Sequence, residues 1–290
     1  MKYGCHATSC SRLARIMMSG DSLQVSPRRP TLRELGDDLT RLSTFRRWCS
    51  VISPFAWCAG YWAFAAHGFW IPAVFCLVAL SFVTYGSVSH DLVHRNLELP
   101  RRINDLLLVL IELLALRSGT AYRLAHLHHH RRYPAADDVE GAAAKMTLLG
   151  VLLEGVKFQF KIFGWAWRNH PNHRPRLALE GGLILGAYLT SIAVLSWNVV
   201  LFAYAALLTV GAWIIPLITS YIPHDPSAKD EVHQTRAFRG VVLSLVAFEH
   251  LYHLEHHLYP AVPHHNWPKL ARRLEPFFRA AGVCPIRLWF

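Results

Sequence analysis

Two long stretches of the chain lack charged side chains. Residues 48–89 and residues 181–224 contain no Asp, Glu, Lys or Arg over 42 and 44 positions. A helix that crosses a bilayer needs about 20 apolar residues, so each stretch has the length of two spans joined by a tight turn. The turns are expected near His67 and near Trp197. The pattern predicts an all-α integral membrane fold with four transmembrane helices in two hairpins, residues 48–89 and 181–220.

The remaining segments are polar and carry all 30 Lys and Arg residues. By the positive-inside rule, the N-terminus, the middle segment 90–180 and the segment 221–285 lie in the cytoplasm. We expect residues 1–45 to be a loosely ordered cytoplasmic leader and residues 46–285 to form a single membrane domain with a cytoplasmic helical cap.

Three further helices are predicted in the polar segments. The apolar run 104–116 is too short for a span and indicates a buried or interfacial helix. Residues 147–167 mix apolar positions with Glu154, Lys157 and Lys161, which is typical of an amphipathic helix at a membrane interface. A last helix is expected over residues 266–281.

Charge and cysteine content narrow the class of protein. The net charge of +11 is explained by topology and by attraction to anionic lipid. Nucleic acid is not expected as a partner, because no basic stripe with interleaved aromatic residues stands apart from the membrane flanks. The six cysteines form no CxxC pair and indicate a reducing compartment.

Histidines in three groups have the spacing of metal ligands. HDLVH places histidines at i and i+4, and HLHHH and HLEHH each contain the pattern HxxHH, so each group shares one helical face. The eight histidines are His90, His94, His126, His129, His130, His253, His256 and His257. All three groups are expected on the cytoplasmic side, where they would suffice for a histidine-rich dimetal site. Imidazole alone does not select the metal.

Other polar residues near these groups are expected to support the site or to be incidental. Because a ligating imidazole usually donates its second N–H to a carboxylate, candidates for that role are Asp91, Glu255, Asp137 and Asp138, with solvated charge as the alternative for the last two. We expect His128 to face away from the metals, His250 to cap a helix or support a ligand, and His264 and His265 to lie on a solvated turn. Asp91 stands where a zinc protease motif HExxH would have its Glu.

The three groups resemble the histidine boxes of the membrane fatty acid desaturase and hydroxylase superfamily, which includes carotenoid ketolase-like members. The resemblance rests on HDLVH, HLHHH and HLEHHLYPAVPHHNWPKL and covers about residues 50–275. It implies two iron ions held by the eight histidines, O2 as co-substrate, and two electrons from a separate ferredoxin or cytochrome b5 system. It also implies a ninth ligand, His224 in SYIPHDP, with Ser220 at a position where some relatives have Asn.

The resemblance implies an oxidoreductase that acts on an unactivated C–H bond of a long hydrophobic chain. A fatty acid (acyl-lipid) desaturase is the first expectation, and a carotenoid ketolase or hydroxylase is the alternative that the same boxes would serve. A metal transporter or storage protein is a remote alternative. It would place ionisable ligands inside the spans, where the uncharged stretches hold only His67 internally.

Overall fold

The computed structural model describes residues 27–240 and 250–288, and this part of the chain is mostly helical. Its α-helices are α1 Leu32–Leu35, α2 Thr44–Ala66, α3 Trp70–Val83, α4 Ser89–His94, α5 Arg101–Leu114, α6 Gly119–Arg132, α7 Leu148–Asn169, α8 Arg174–Ala193, α9 Val199–Ala212, α10 His253–Leu258 and α11 Trp267–Ala280. Two strands, β1 Phe238–Arg239 and β2 Ile286–Arg287, form one short parallel pair. Residues 1–26 of the predicted leader lie outside the described residues.

Three helical stretches in the described residues are long and apolar enough to cross a membrane. They are Asp37–Ala66, Trp70–His94 and Val199–Tyr221. The first half of the second predicted hairpin falls on α8, which begins with Arg174 and Arg176 and contains Glu180. The helical, membrane-compatible fold is therefore confirmed, whereas a fourth span and the two-hairpin topology remain predictions.

The first predicted hairpin leads directly to the first histidine group. Helix α2 ends at Ala66, and the turn contains Gly68 with a φ of 76°, a left-handed conformation that favours glycine. Helix α3 continues through a π-helical turn, Thr84–Val88, into α4. The π turn adds a residue to one helical turn and so rotates the following side chains. His90 and His94 therefore lie beyond the apolar part of the same continuous helix.

Helix α7 is amphipathic, as the sequence of residues 147–167 predicts, and α5, predicted as a buried or interfacial helix, also has one buried and one exposed face. In α5, Leu108 and Ile111 are fully buried, while Leu106 is exposed. In α7, Leu149 and Phe160 are 67% and 79% exposed. Both helices therefore pack one face against the protein and present an apolar strip outward, which suits a position along a membrane surface.

The start of the described chain is more ordered than its sequence predicts. Thr31 and Glu34 form a capping box at α1, and Leu35 and Leu39 are buried in one cluster with residues of α11. Asn266 donates hydrogen bonds to the carbonyls of Leu39 (2.9 Å) and Arg41 (3.0 Å). The partners lie more than 200 residues away, so this order has no local signature.

A buried carboxylate fixes the beginning of α6, the helix that carries the second histidine group. Glu180 of α8 is fully buried and accepts hydrogen bonds from Ser118 Oγ (2.5 Å), Thr120 Oγ1 (2.5 Å) and Thr120 N (3.1 Å). Ser118 is the N-cap residue and accepts a further bond from Ala121 N. The negative charge also lies at the positive end of the α6 dipole.

We predict that Glu180→Ala destabilises the protein by about 3 kcal/mol, because two hydroxyls and one N–H lose their buried acceptor. The midpoint of thermal unfolding in detergent should fall by roughly 5 °C or more. The exposed neighbour Leu179 provides the control, since Leu179→Ala should leave the midpoint within about 1 °C. Equal midpoints for the two variants would contradict the role assigned to Glu180.

Candidate metal centre

Four parts of the chain bring nine histidines together. Helices α4, α6 and α10 supply the eight histidines of the three sequence groups, and the chain just after the π-helical turn Leu217–Tyr221 supplies the ninth. Their ligand nitrogens form two groups, each with all atoms within 4.8 Å of one another. The first group is His90, His94, His126, His130 and His256, and the second is His129, His224, His253 and His257.

The Nε2 atoms of the first group face each other at short range. His256 Nε2 lies 2.9 Å from His90 Nε2 and 2.7 Å from His130 Nε2. His130 Nε2 is in turn 3.0 Å from His126 Nε2. Three boxes that are far apart in the sequence thus contribute to one cluster of nitrogen atoms.

In the second group His224 occupies the centre. Its Nε2 lies 3.2 Å from His129 Nε2, 3.2 Å from His257 Nε2 and 3.3 Å from His253 Nε2. Its Nδ1 is 2.9 Å from the carbonyl of Ser220 and must carry the proton that this bond needs. The single lone pair on Nε2 cannot accept hydrogen bonds from three rings at once, whereas one cation can accept all four lone pairs.

The spacing of the nitrogens fits a first-row transition metal. Such ions bind imidazole nitrogen at about 2.0–2.1 Å, and two nitrogens bound at right angles are then about 3 Å apart. The Nε2 separations of 2.7–3.3 Å in both groups agree with this value. The donor set of imidazoles suits iron, copper, zinc or nickel.

Burial keeps four of these rings in the neutral form that binds a metal. Burial, together with the surrounding imidazoles, holds the pKa of His130, His256 and His257 well below the ordinary value for histidine. The pKa of His224 is also lowered, mainly by burial. His129 differs: burial opposes its charge, but the hydrogen bond and charge of Asp138 raise its pKa overall.

Two buried carboxylates orient histidines of the second box. Asp138 Oδ2 accepts from His129 Nδ1 at 2.7 Å, and both Glu140 oxygens lie 3.1 Å from His126 Nδ1. Asp138 Oδ1 also accepts the N–H groups of Glu140 and Gly141. Each ring therefore turns its Nε2 toward the centre. Sequence reasoning named Asp138 and missed Glu140, whose only signal is its place in DDVEG after the box.

The other expected carboxylates have different partners. Asp137 is exposed and pairs with Arg132 at 3.2 Å. The alternative expectation, that Asp137 is a solvated surface charge, is therefore confirmed. Glu255 is fully buried beside Arg239, with an N–O distance of 2.6 Å. Burial raises the pKa of Glu255 to about 7. This carboxylate joins α10 to β1.

The expectation of a solvated turn at His264 and His265 is wrong. His264 is buried, its backbone N–H donates to Asp91 Oδ1 at 3.0 Å, and its Nδ1 donates to Asp91 Oδ2 at 2.6 Å. His265 Nε2 lies 2.8 Å from Ser50 Oγ. The turn after the third box therefore packs against α4 and α2. These contacts hold α4, the helix of the first box, beside the chain of the third box.

Further contacts hold the same region. The ring of Trp267 lies 5.4 Å from that of His90 and 5.2 Å from that of His256, which belong to different boxes. The carbonyl of Leu92, in α4, accepts from Asn104 at 2.7 Å and from Arg123 at 2.5 Å. Sequence reasoning found none of these three supports, since aromatic and polar residues are common near helix ends.

His128, next to the second box, lies outside both groups. His128 faces away from them, as expected: its Nε2 is 3.3 Å from Asp137, and its ring is 4.8 Å from that of Trp165. The side chain of His250 is outside the described residues, so its role as a helix cap or support remains a prediction.

Comparison with known proteins shows the family to which the chain belongs. No curated protein matches the chain. The sequence model described as "Fatty acid desaturase" matches residues 68–287, which include all nine histidines of the two groups and most of the chain. With its membrane-compatible helices and histidine boxes, the chain belongs to the fatty acid desaturase family of oxidoreductases.

Proposed function

We propose that this protein is a membrane di-iron, O2-dependent fatty acid (acyl-lipid) desaturase, with the nine histidines as the iron ligands. The observation that carries the proposal is the pair of adjacent imidazole groups in a chain of the fatty acid desaturase family. Desaturation removes two hydrogen atoms from adjacent carbons and reduces O2 to two waters, which requires two further electrons and two protons.

An alkyl C–H bond has no acidic proton, so general acid–base catalysis by side chains is insufficient for this reaction. The two irons, when bound, supply the activation of oxygen that the reaction needs. The chain's own part is to hold two ions with neutral imidazoles and to fix the orientation of the rings. Glu140 and Asp138 perform the second task by keeping a proton on Nδ1 and leaving Nε2 free to bind.

A small apolar cavity of about 20 Å³ lies between α3 and α9. Tyr85, Gly211 and Ile215 are among its lining residues. The ring of Tyr85 stacks on that of Tyr122 at 4.3 Å, and Tyr122 lies 5.6 Å from His126. The inner wall of this cavity is therefore two aromatic rings from a site histidine, and its lining is apolar.

The proposal includes a multi-pass topology with the metal site on the cytoplasmic face. The distribution of the 30 Lys and Arg residues supports it. Electrons would come from a separate ferredoxin or cytochrome b5 type donor. The basic cytoplasmic surface is complementary to an acidic donor of this kind.

The function is tested by expression in a bacterial host that makes both fatty acids and β-carotene. Cells with the wild-type chain should gain unsaturated acyl chains that are lighter by two hydrogen atoms, and cells with His256→Ala should not. Carotenoids should be the same in both. Altered carotenoids with unchanged acyl chains would instead assign the chain to the ketolase or hydroxylase alternative.

Each histidine group should hold one iron. We predict that His256→Ala and His257→Ala each lower the iron content of the purified protein from about two equivalents to about one, because each removes a donor from a different group. His128→Ala is the matched control, since His128 neighbours the second box but lies outside both groups. A metal other than iron in the wild-type protein would contradict the proposal and leave transport or storage in its place.

The pair of Asp91 and His264 should set the metal affinity of the first group. His264→Ala removes one of the two hydrogen bonds that hold Asp91, between ligands His90 and His94, to the turn after the third box. Iron affinity should fall about tenfold. His264→Asn should restore it, because an amide N–H can replace Nδ1–H.

The control is His173→Ala, an exposed histidine that should leave iron affinity unchanged. Thermal unfolding of the iron-free protein separates a positioning effect from a loss of folding. A drop in stability equal for the Ala and Asn variants, with no difference in iron affinity between them, would count against this role.

A further inference from the structure

A groove lies between the C-terminal half of α7 and the N-terminal half of α8, distinct from the metal centre. Its volume is about 580 Å³. Its lining residues are Phe163, Gly164, Trp167, Arg168, Ala178, Gly181 and Gly182. Aromatic and small residues thus form most of the lining, and Arg168 is the charged residue among those that line it.

The groove is open because the small residues on the two helices leave the space between them unfilled. A Cβ at Gly164 or Gly182 would meet no atom within 4 Å, so the space beside both backbones is open. At Gly181 a Cβ would lie 3.0 Å from the ring of Phe163. Phe163 therefore packs at one wall, and the rest of the groove remains accessible.

The groove has a strongly basic end. Arg168 is exposed and lines it, and the guanidinium of Arg174 lies 5.7 Å from the ring of Trp167 while its Nε donates to the Trp167 carbonyl at 3.0 Å. Neither arginine forms an ion pair with a residue that the structure describes. The sequence from 162 to 179 contains a third arginine and no Asp or Glu. The next residue, Glu180, is fully buried and bonded to Ser118 and Thr120, so it does not pair with these arginines.

Beyond the basic end, the surface of the two helices is apolar. Leu179 and Leu183 of α8 are 63% and 53% exposed, and Phe160 of α7 is 79% exposed. Large apolar side chains at this exposure, next to a Trp and paired arginines, are typical of the level at which lipid headgroups meet acyl chains. A lipid matches both features at once, because its headgroup is charged and its chains are apolar.

We propose that this groove binds an anionic phospholipid, with its phosphate on Arg168 and Arg174 and an acyl chain along Gly164 and Gly182. The proposal rests on the proposed function only in requiring that the protein lies in a membrane. The lipid is bound for its negative headgroup and is a ligand separate from the substrate at the irons.

The test is native mass spectrometry of the full chain in detergent, titrated with phosphatidylglycerol or phosphatidylcholine. The wild type should bind phosphatidylglycerol more tightly. The double variant Arg168→Gln, Arg174→Gln should lose about fivefold in phosphatidylglycerol affinity for each arginine removed and approach the affinity for phosphatidylcholine. Gly182→Leu should abolish the binding of both lipids at this groove by filling it.

Matched controls are available for both variants. Arg101→Gln, Arg102→Gln removes the same charge from exposed positions on α5. Gly186→Leu adds the same side chain to α8, at a glycine that also has open space beside it but does not line the groove. Both controls should bind phosphatidylglycerol as the wild type does.

Equal affinity of the wild type for the two lipids would overturn the proposal. So would unchanged phosphatidylglycerol binding in both groove variants, or a loss in the controls as large as in the groove variants. Iron content and products are measured on the same samples. A protein that prefers phosphatidylglycerol but contains no iron would contradict only the proposed function. A protein that contains iron and desaturates acyl chains but binds both lipids equally would contradict only this inference.

Discussion

The rest of the structure depends on the convergence of nine imidazole nitrogens in a buried space. Neutral rings that turn their lone pairs toward each other repel, and burial withholds the water that would otherwise separate them. A shared cation removes this repulsion. His224 shows the constraint most clearly, because its Nδ1 is committed to the Ser220 carbonyl and its Nε2 meets three other rings.

The surrounding fold can be understood as the means of holding these rings in place. Helix α6 is fixed at both ends: Glu180 binds its first turn, and Asp138 binds His129 in its last turn. Asp91 and His264 join the first box to the chain that follows the third. Buried polar residues are costly unless they are paired, and here the pairing links elements that are distant in sequence.

Two of the surrounding helices also expose apolar side chains. Helices α5 and α7 each bury one face against the metal-binding part of the molecule and expose apolar side chains on the other. The helices that surround the histidine groups therefore also provide an apolar outer surface.

Much of the fold and the histidines of the two groups could be predicted from sequence, because both depend on local patterns. Uncharged stretches of more than 40 residues indicate membrane helices, and the i, i+3, i+4 spacing places histidines on one face of any helix. The family resemblance extended the set to His224, and the structure brings that residue to the centre of its group.

Tertiary structure decided which polar residues support the ligands. Asp91 and His264 are 173 positions apart, and no local rule relates residues at that distance. Glu140 and Glu180 look like ordinary surface acids until packing buries them against α6. Sequence determines a helix and its faces because those follow from neighbouring residues, whereas a contact across the chain exists only once the helices have packed.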